Sequence, residues 1–301
     1  MSNAECNVPR TWKSERGGGN LQLSDRMKTV LTNAIDRGRI DTGNKQTLKA
    51  LVARGLCDLD GEINPFGRAK AISLLPLTEQ CRVLRIPFVV CSHEWQGRPE
   101  QAAISLLRDE PRRAFLDEGK MLHALIHAMV LPRLYSLASR AWGDDRAQSW
   151  LYGHYAAYHE LLGIESRLTE GMLQDIRGWD RTAFIASWQT LSTWNRLFGS
   201  HPAVTVEPDE ALEVLDCVGE PTLSAIAARV FSEPFTYYHG WPDLMLLEST
   251  GRLKFVEVKT TDRLHFGQIV TMNDMRDAAG LDISVMWLHR PSQRFVRNKT
   301  T

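Results

Sequence analysis

Asp243, Glu257 and Lys259 are the residues of this chain whose types and spacing can do chemistry. Asp243 follows a Gly240-Trp241-Pro242 turn and opens the apolar run Leu244 to Leu247, while Glu257 and Lys259 flank Val258 in the run KFVEVK. Residues two apart on a strand share a face, so Glu257 and Lys259 project together while Val256 and Val258 turn to the other side. The 14 positions from Asp243 to Glu257 accommodate two strands of about five to six residues and a turn. A hairpin of that size carries Asp243 close to Glu257. Two carboxylates meeting at a sheet edge suit a hard divalent cation, Mg²⁺ or Mn²⁺, with the Val258 carbonyl as a further ligand. Such a cation polarises a phosphoryl oxygen and acidifies bound water; Lys259 would orient or deprotonate that water and offset charge on the phosphate. As Asp…Glu-x-Lys alone the pattern recurs by chance, and an inert, solvated strand face satisfies it equally well.

The match extends beyond these three residues. Gly240, Pro242, Asp243 and Leu244 are followed by Glu257, Val258 and Lys259, then by Asp262, Arg263, Leu264 and Gln268. In order and spacing this resembles the VRR-NUC domain of the PD-(D/E)xK nuclease superfamily, over about residues 220–290. Within it the segment looks most like the Fanconi-associated nuclease family of structure-specific DNA repair enzymes, whose helix before the turn is similar to Gly219–Val230. The resemblance implies Mg²⁺- or Mn²⁺-dependent hydrolysis of DNA phosphodiester bonds, with branched or flapped DNA as the substrate class and Gln268 orienting water or phosphate. It also implies a further catalytic acid and metal ligand from a distant Glu-Gly helix, and Glu118-Gly119-Lys120-Met121-Leu122 fits that pattern. Leu122, Leu125, Ile126 and Met129 follow at helical spacing, which puts the Glu118 carboxylate in phase with a buried stripe. The family carries more sequence ahead of this helix than the 117 residues that precede Glu118 here.

These residues need elements to position them, and the expected class is α+β: an N-terminal winged helix, a helical middle and a C-terminal α/β nuclease core. Residues 1–21, ending in a Gly triplet, read as a flexible arm. Residues 22–75 read as a winged helix-turn-helix. Helices begin near Ser24 and Lys45, and Asp60-Gly61 suits a type I′ hairpin turn. Lys45, Lys49 and Arg54 are its candidate phosphate contacts, and Arg263 is another beside the catalytic strand. Residues 76–98, punctuated by prolines, read as irregular. Residues 98–215 read as a helical scaffold that delivers Glu118, and 216–292 as the nuclease core. The tryptophans and tyrosines of the scaffold fall at helical spacing, which marks them as core more than as a base-stacking surface. His123 and His127 lie one helical turn apart without an H-E-x-x-H context, so they read as a helix-face pair and not as zinc ligands.

Composition narrows the class. With 36 basic and 36 acidic residues the net charge is zero, which excludes a polycation that coats nucleic acid. The balance is uneven along the chain: +4 over residues 1–120, −8 over 121–250 and +4 over 251–301. Five scattered cysteines without C-x-x-C spacing suit free thiols, and no apolar leader opens the sequence. The apolar run from Met121 to Leu137 is broken by His123, His127, Pro132 and Arg133, and reads as a buried helix and not a membrane span. A cytoplasmic enzyme follows, with DNA as partner, no membrane and, lacking a GxxxxGKS loop, no nucleotide cofactor. Two other roles fit the same residues: a nuclease toxin or anti-invader defence enzyme with this chemistry, and a winged-helix DNA-binding protein on a catalytically inactive nuclease fold.

Overall fold

The computed structural model describes residues 22–41, 43–107, 111–153, 156–165, 167–198 and 206–291; the arm expected at 1–21 lies outside them. The chain divides into two compact units, Met1–Pro76 and Leu77–Thr301.

In the first unit, helix α1 (Asp25–Asn33) starts where Ser24 accepts the Met27 N–H, and α2 (Lys45–Val52) where Asn44 accepts from Gln46 and Thr47. Two isolated bridges, Arg39↔Glu62 and Cys57↔Ile63, take the place of a full hairpin. Its turn is not type I′. That turn needs positive φ at both central residues, yet within it only Gly61 (φ +84°) has one. Instead the Gly61 N–H donates to the Asp58 carbonyl, the Asp58 side chain accepts from Asp60 and Glu62, and the left-handed glycine closes the loop. The Asn64-Pro65-Phe66-Gly67 segment that follows begins a third helix, α3 (Pro65–Ser73). Asn64 caps it through Gly67 N–H at 2.8 Å, and Pro65 occupies the first turn, where no N–H is required. Leu31, Leu51, Leu56 and Ile72 fill the core between them.

The second unit is built on one mixed five-stranded sheet. Helix α4 (Leu77–Leu84) and strand β1 (Phe88–Ser92) occupy the segment expected to be irregular. Helix α5 (Pro99–Leu106) and strand β2 (Pro111–Leu116) follow, so the stretch expected to be wholly helical also contributes a strand. A helical block comes next: α6 (Lys120–Trp142), α7 (Asp144–Gly153), α8 (Ala156–Ile164), α9 (Leu168–Arg177), α10 (Arg181–Phe198), α11 (Pro208–Val218), α12 (Glu220–Ser232) and the short α13 (Pro234–Tyr237). The chain ends in β3 (Leu244–Glu248), β4 (Leu253–Lys259), α14 (Phe266–Ala279) and β5 (Asp282–His289).

Strand order is β1-β5-β4-β3-β2, with β3 antiparallel to both neighbours and the other pairings parallel. Both edge strands therefore come from sequence far upstream of the strands they pair with. Ala102 and Ala103 of α5 pack on Leu244, Leu246, Val256, Val258, Met286 and Leu288, forming the core on one face of the sheet. Small residues on α5 let the helix approach closely. Trp188, Phe184 and Trp194 are buried in the helical block, as the spacing predicts; Trp142 and Trp150 are half-buried and hold the Arg146 guanidinium between them. Helix α6 is long and apolar enough to cross a membrane by composition, yet most of it is buried inside the protein, as in a core helix. Arg133 on α6 grips Asp175 on α9 through two hydrogen bonds of 2.6 and 2.8 Å.

Asn64 does two jobs in the first unit, capping α3 and donating to the Gly55 carbonyl at 2.7 Å. Asn64→Ala is expected to cost about 1–2 kcal/mol, the upper range for loss of a helix cap. Urea unfolding followed by circular dichroism checks this; a change within error would show that the cap contributes nothing.

Candidate active site

The β3–β4 hairpin turns through Gly251 (φ +79°), whose N–H donates to the Glu248 carbonyl. Its register pairs Leu244 with Val256, which carries Asp243 to the level of Glu257. Asp243 Oδ2 accepts the Val258 N–H at 2.8 Å, so the carboxylate closes the end of the hairpin. Glu257 and Lys259 face away from the α5 side of the sheet. Glu257 is fully buried (0% exposed) and Lys259 nearly so (6%). Lys259 Nζ lies 2.9 Å from Glu257 Oε1 and 3.4 Å from Asp262 Oδ2.

Gln268, near the start of α14, serves two partners. Its amide nitrogen donates to Glu257 Oε1, while its oxygen accepts the His265 N–H at 3.0 Å and completes a capping box. The loop ahead of α14 is pinned by Gln80, a buried residue of α4 that exchanges two hydrogen bonds with the Leu264 backbone. Gly240 (φ +82°) lets the turn before Asp243 lie against this helix start. A Cβ there would sit 2.3 Å from the Gly267 carbonyl oxygen. On the other flank the Trp241 ring covers Gly119, and His123 packs edge-on against Trp241 and Tyr238.

Glu118 reaches the site because β2 pairs with β3 and hands the chain on at Asp117, whose N–H donates to the Asp243 carbonyl at 3.0 Å. It is not in phase with the buried stripe of α6. It precedes the helix, adopts φ +49°, and its side chain is 65% exposed and paired with Lys120 at 3.2 Å. Helix phase does not apply to a residue in the left-handed turn that leads into the helix. Arg263 is exposed just beyond β4. Lys45, Lys49 and Arg54 are exposed on and after α2 in the first unit, where Arg54 also donates to the Ala50 carbonyl.

Electrostatics mark the same spot. Burial pushes the Asp243 carboxyl up to about 6; the charges of Glu100 and Glu118 add to this, while the Val258 N–H and Lys259 oppose it. Burial raises Glu257 as well, reinforced by Asp243. Lys259 is raised: burial works against its charge, but Glu257, Asp262 and Asp243 outweigh it. Its charged form is therefore favoured beside Glu257 and Asp262. Glu100, at the start of α5, was not among the sequence candidates; it emerges only because the helix packs over β4 and brings its carboxylate within reach of Asp243. A cavity of about 560 Å³ lies away from these carboxylates, lined by Arg133, Arg140, Trp179 and Phe184 in the helical block.

No family model matches the chain, and no curated protein does. Solved structures do match. A crystal structure of paFAN1 bound to DNA with a two-nucleotide 5′ flap and a gap aligns at a TM-score of 0.53 and 14% identity, over 89% of this chain and 53% of that one. The chain shares the fold of paFAN1. A second paFAN1 structure, with a one-nucleotide 5′ flap, aligns at 0.52 and 16% identity over 86% and 52%. The chain thus spans about half the length of the solved structures it matches.

Gly240→Ala is expected to destabilise the second unit by roughly 1–3 kcal/mol, the cost of forcing extra volume into a packed contact, with a further penalty for alanine at positive φ. Thermal unfolding of the variant measures it; an unchanged midpoint would mean that the turn and α14 separate freely.

Proposed function

We propose that this chain is a metal-dependent DNA nuclease of the VRR-NUC type that hydrolyses phosphodiester bonds in flapped or branched DNA during repair. The observation that carries the reading is the buried Glu257 carboxylate. Its Oε2 has no hydrogen-bond partner, and it sits beside Asp243 and an ammonium on the fold of a nuclease crystallised with flap DNA. A carboxylate left half-unsatisfied in a dry site is costly unless a cation completes it. A catalytically inactive scaffold has no use for that cost.

The donor set fits Mg²⁺ or Mn²⁺. Asp243, Glu257 and the Val258 carbonyl are hard oxygens at one strand end. Among the described residues no three His, Cys, Asp or Glu side chains are gathered closely enough to hold an ion as they stand, and Glu118 is paired with Lys120. Glu118 would supply the third carboxylate on leaving that ion pair. A bound cation provides an acidified water and polarises the phosphate. The residues of the chain do the rest. Gln268 holds Glu257 in place, Asp243 locks the hairpin, and Lys259 orients water and neutralises charge that builds on the phosphate. Arg263 grips the phosphate backbone near the cut, and Lys45, Lys49 and Arg54 contact the duplex from the first unit.

Lys259→Met keeps the aliphatic stem and removes the charge. It is expected to lower cleavage of a 5′-flap duplex by roughly 10²–10³-fold, the cost of losing one charge-stabilising group, while DNA binding in a mobility-shift assay changes little. Wild-type cleavage by this variant would end the mechanism. Protons compete with the cation for Asp243 and Glu257, whose carboxyls burial raises to about 6 and about 8. Mn²⁺ affinity should therefore rise with pH from about 6 to about 8, by up to roughly tenfold per unit for each proton displaced. Calorimetric titration from pH 5 to 8 tests this, and a flat profile would place the cation elsewhere.

A further inference from the structure

Where β2 ends, the chain must reverse into α6 within three residues. Asp117 extends the β2–β3 ladder by one bond to the Asp243 carbonyl, and the Lys120 N–H donates back to the Asp117 carbonyl at 3.0 Å. Between them Glu118 and Gly119 are both left-handed, at φ +49° and +78°. Glycine adopts this conformation freely, but a glutamate does so only when its surroundings hold it there. Gly119 is held by the Trp241 ring. Glu118 has no such packing, since its side chain projects into solvent.

The remaining constraint is the Asp117 side chain. It is 4% exposed, and its Oδ1 accepts the Met121 N–H at 2.7 Å, which clamps the first turn of α6 across Glu118. The Gly119 N–H also bonds this carboxylate, whose Oδ2 is buried without a close partner of its own. Any short polar residue at an exposed position can cap a helix; a buried carboxylate with one oxygen unsatisfied is a poor way to gain stability alone. The location accounts for it. Asp117 is bonded through its backbone to Asp243 and through its side chain to the helix that follows Glu118, so it ties the Glu118 turn to the start of β3.

We propose that Asp117 is a positioning residue that holds Glu118 in its left-handed conformation beside Asp243. The inference rests on the metal-dependent nuclease reading, and names the residue that completes its carboxylate set. Asp117 does not touch substrate or cation; it acts through the backbone of Glu118.

The test is a double-mutant cycle read by steady-state cleavage of a 5′-flap duplex in Mg²⁺. Asp117→Ala is expected to lower kcat by roughly 10–100-fold, the usual loss when a ligand's supporting partner is removed, with KM for DNA within about twofold. Asp117→Asn, which keeps the Oδ1 acceptor, should recover most of the activity. In the Glu118→Ala background, Asp117→Ala should cost nothing further, because the residue it positions is gone. An equal fractional loss in both backgrounds overturns the inference and leaves a plain structural cap. Should Asp117→Ala fail to fold by circular dichroism, Asp117→Glu, which displaces the acceptor by one methylene, enters the same cycle with the same expectation. If the wild-type chain cuts no DNA, or Glu118→Ala cuts like wild type, the nuclease reading or the part of Glu118 in it fails, and this inference fails with it. Loss in Glu118→Ala with an additive cycle sinks the positioning role alone.

Discussion

The second unit is organised around one uncomfortable group, a fully buried carboxylate at Glu257. Burying a charge is unfavourable unless partners satisfy it, and here they satisfy only one of its two oxygens. Lys259 and Gln268 both converge on Oε1, and the positions of α14 and of the loop before it follow from that convergence. Gln268 can reach Glu257 only because His265 caps the helix at the right place. His265 is in place because Gln80, in α4, holds Leu264. A chain of short hydrogen bonds thus links the start of the unit to the strand that carries the chemistry.

The same sheet shows why its edges come from so far upstream. A β3–β4 hairpin followed by a helical crossover to β5 makes three strands with two open edges. Closing one edge with β1 shields β5. Closing the other with β2 does more, because β2 delivers the Asp117–Glu118 turn to the end of β3 where Asp243 lies. The helical block then spans the distance between β2 and β3 in sequence without separating them in space. Arg133 with Asp175, and buried Trp188 and Phe184, give that block a rigid interior. Most of the acidic residues of the 121–250 stretch therefore lie in this scaffold, while Asp243 and Glu248 belong to the hairpin that carries Lys259.

Much of this was legible because the informative signals are local. Residues two apart on a strand must share a face, so Glu257 and Lys259 were paired by spacing alone, and 14 residues from Asp243 implied a hairpin. Helix starts at Ser24 and Lys45 were marked by capping residues. Strands β1 and β2 were missed because edge strands of five or six residues carry little periodicity, and both are defined by partners more than a hundred residues away. The third helix of the first unit carries a local signal as well, an Asn cap followed by Pro. Glu100 had none: its relevance comes from α5 packing across the sheet, a tertiary fact with no sequence spacing to announce it.

The zero net charge also takes on a definite physical meaning at the site. The buried Lys259 ammonium has Glu257 at 2.9 Å and Asp262 at 3.4 Å, and Asp243 feels the charges of Glu100 and Glu118. On the nuclease reading proposed above, a phosphodiester approaching these carboxylates would be repelled until a cation neutralised them, so affinity near the cut would depend on the metal. The exposed basic residues assigned to DNA in that proposal, Arg263, Lys45, Lys49 and Arg54, would make phosphate contacts that weaken steeply with salt.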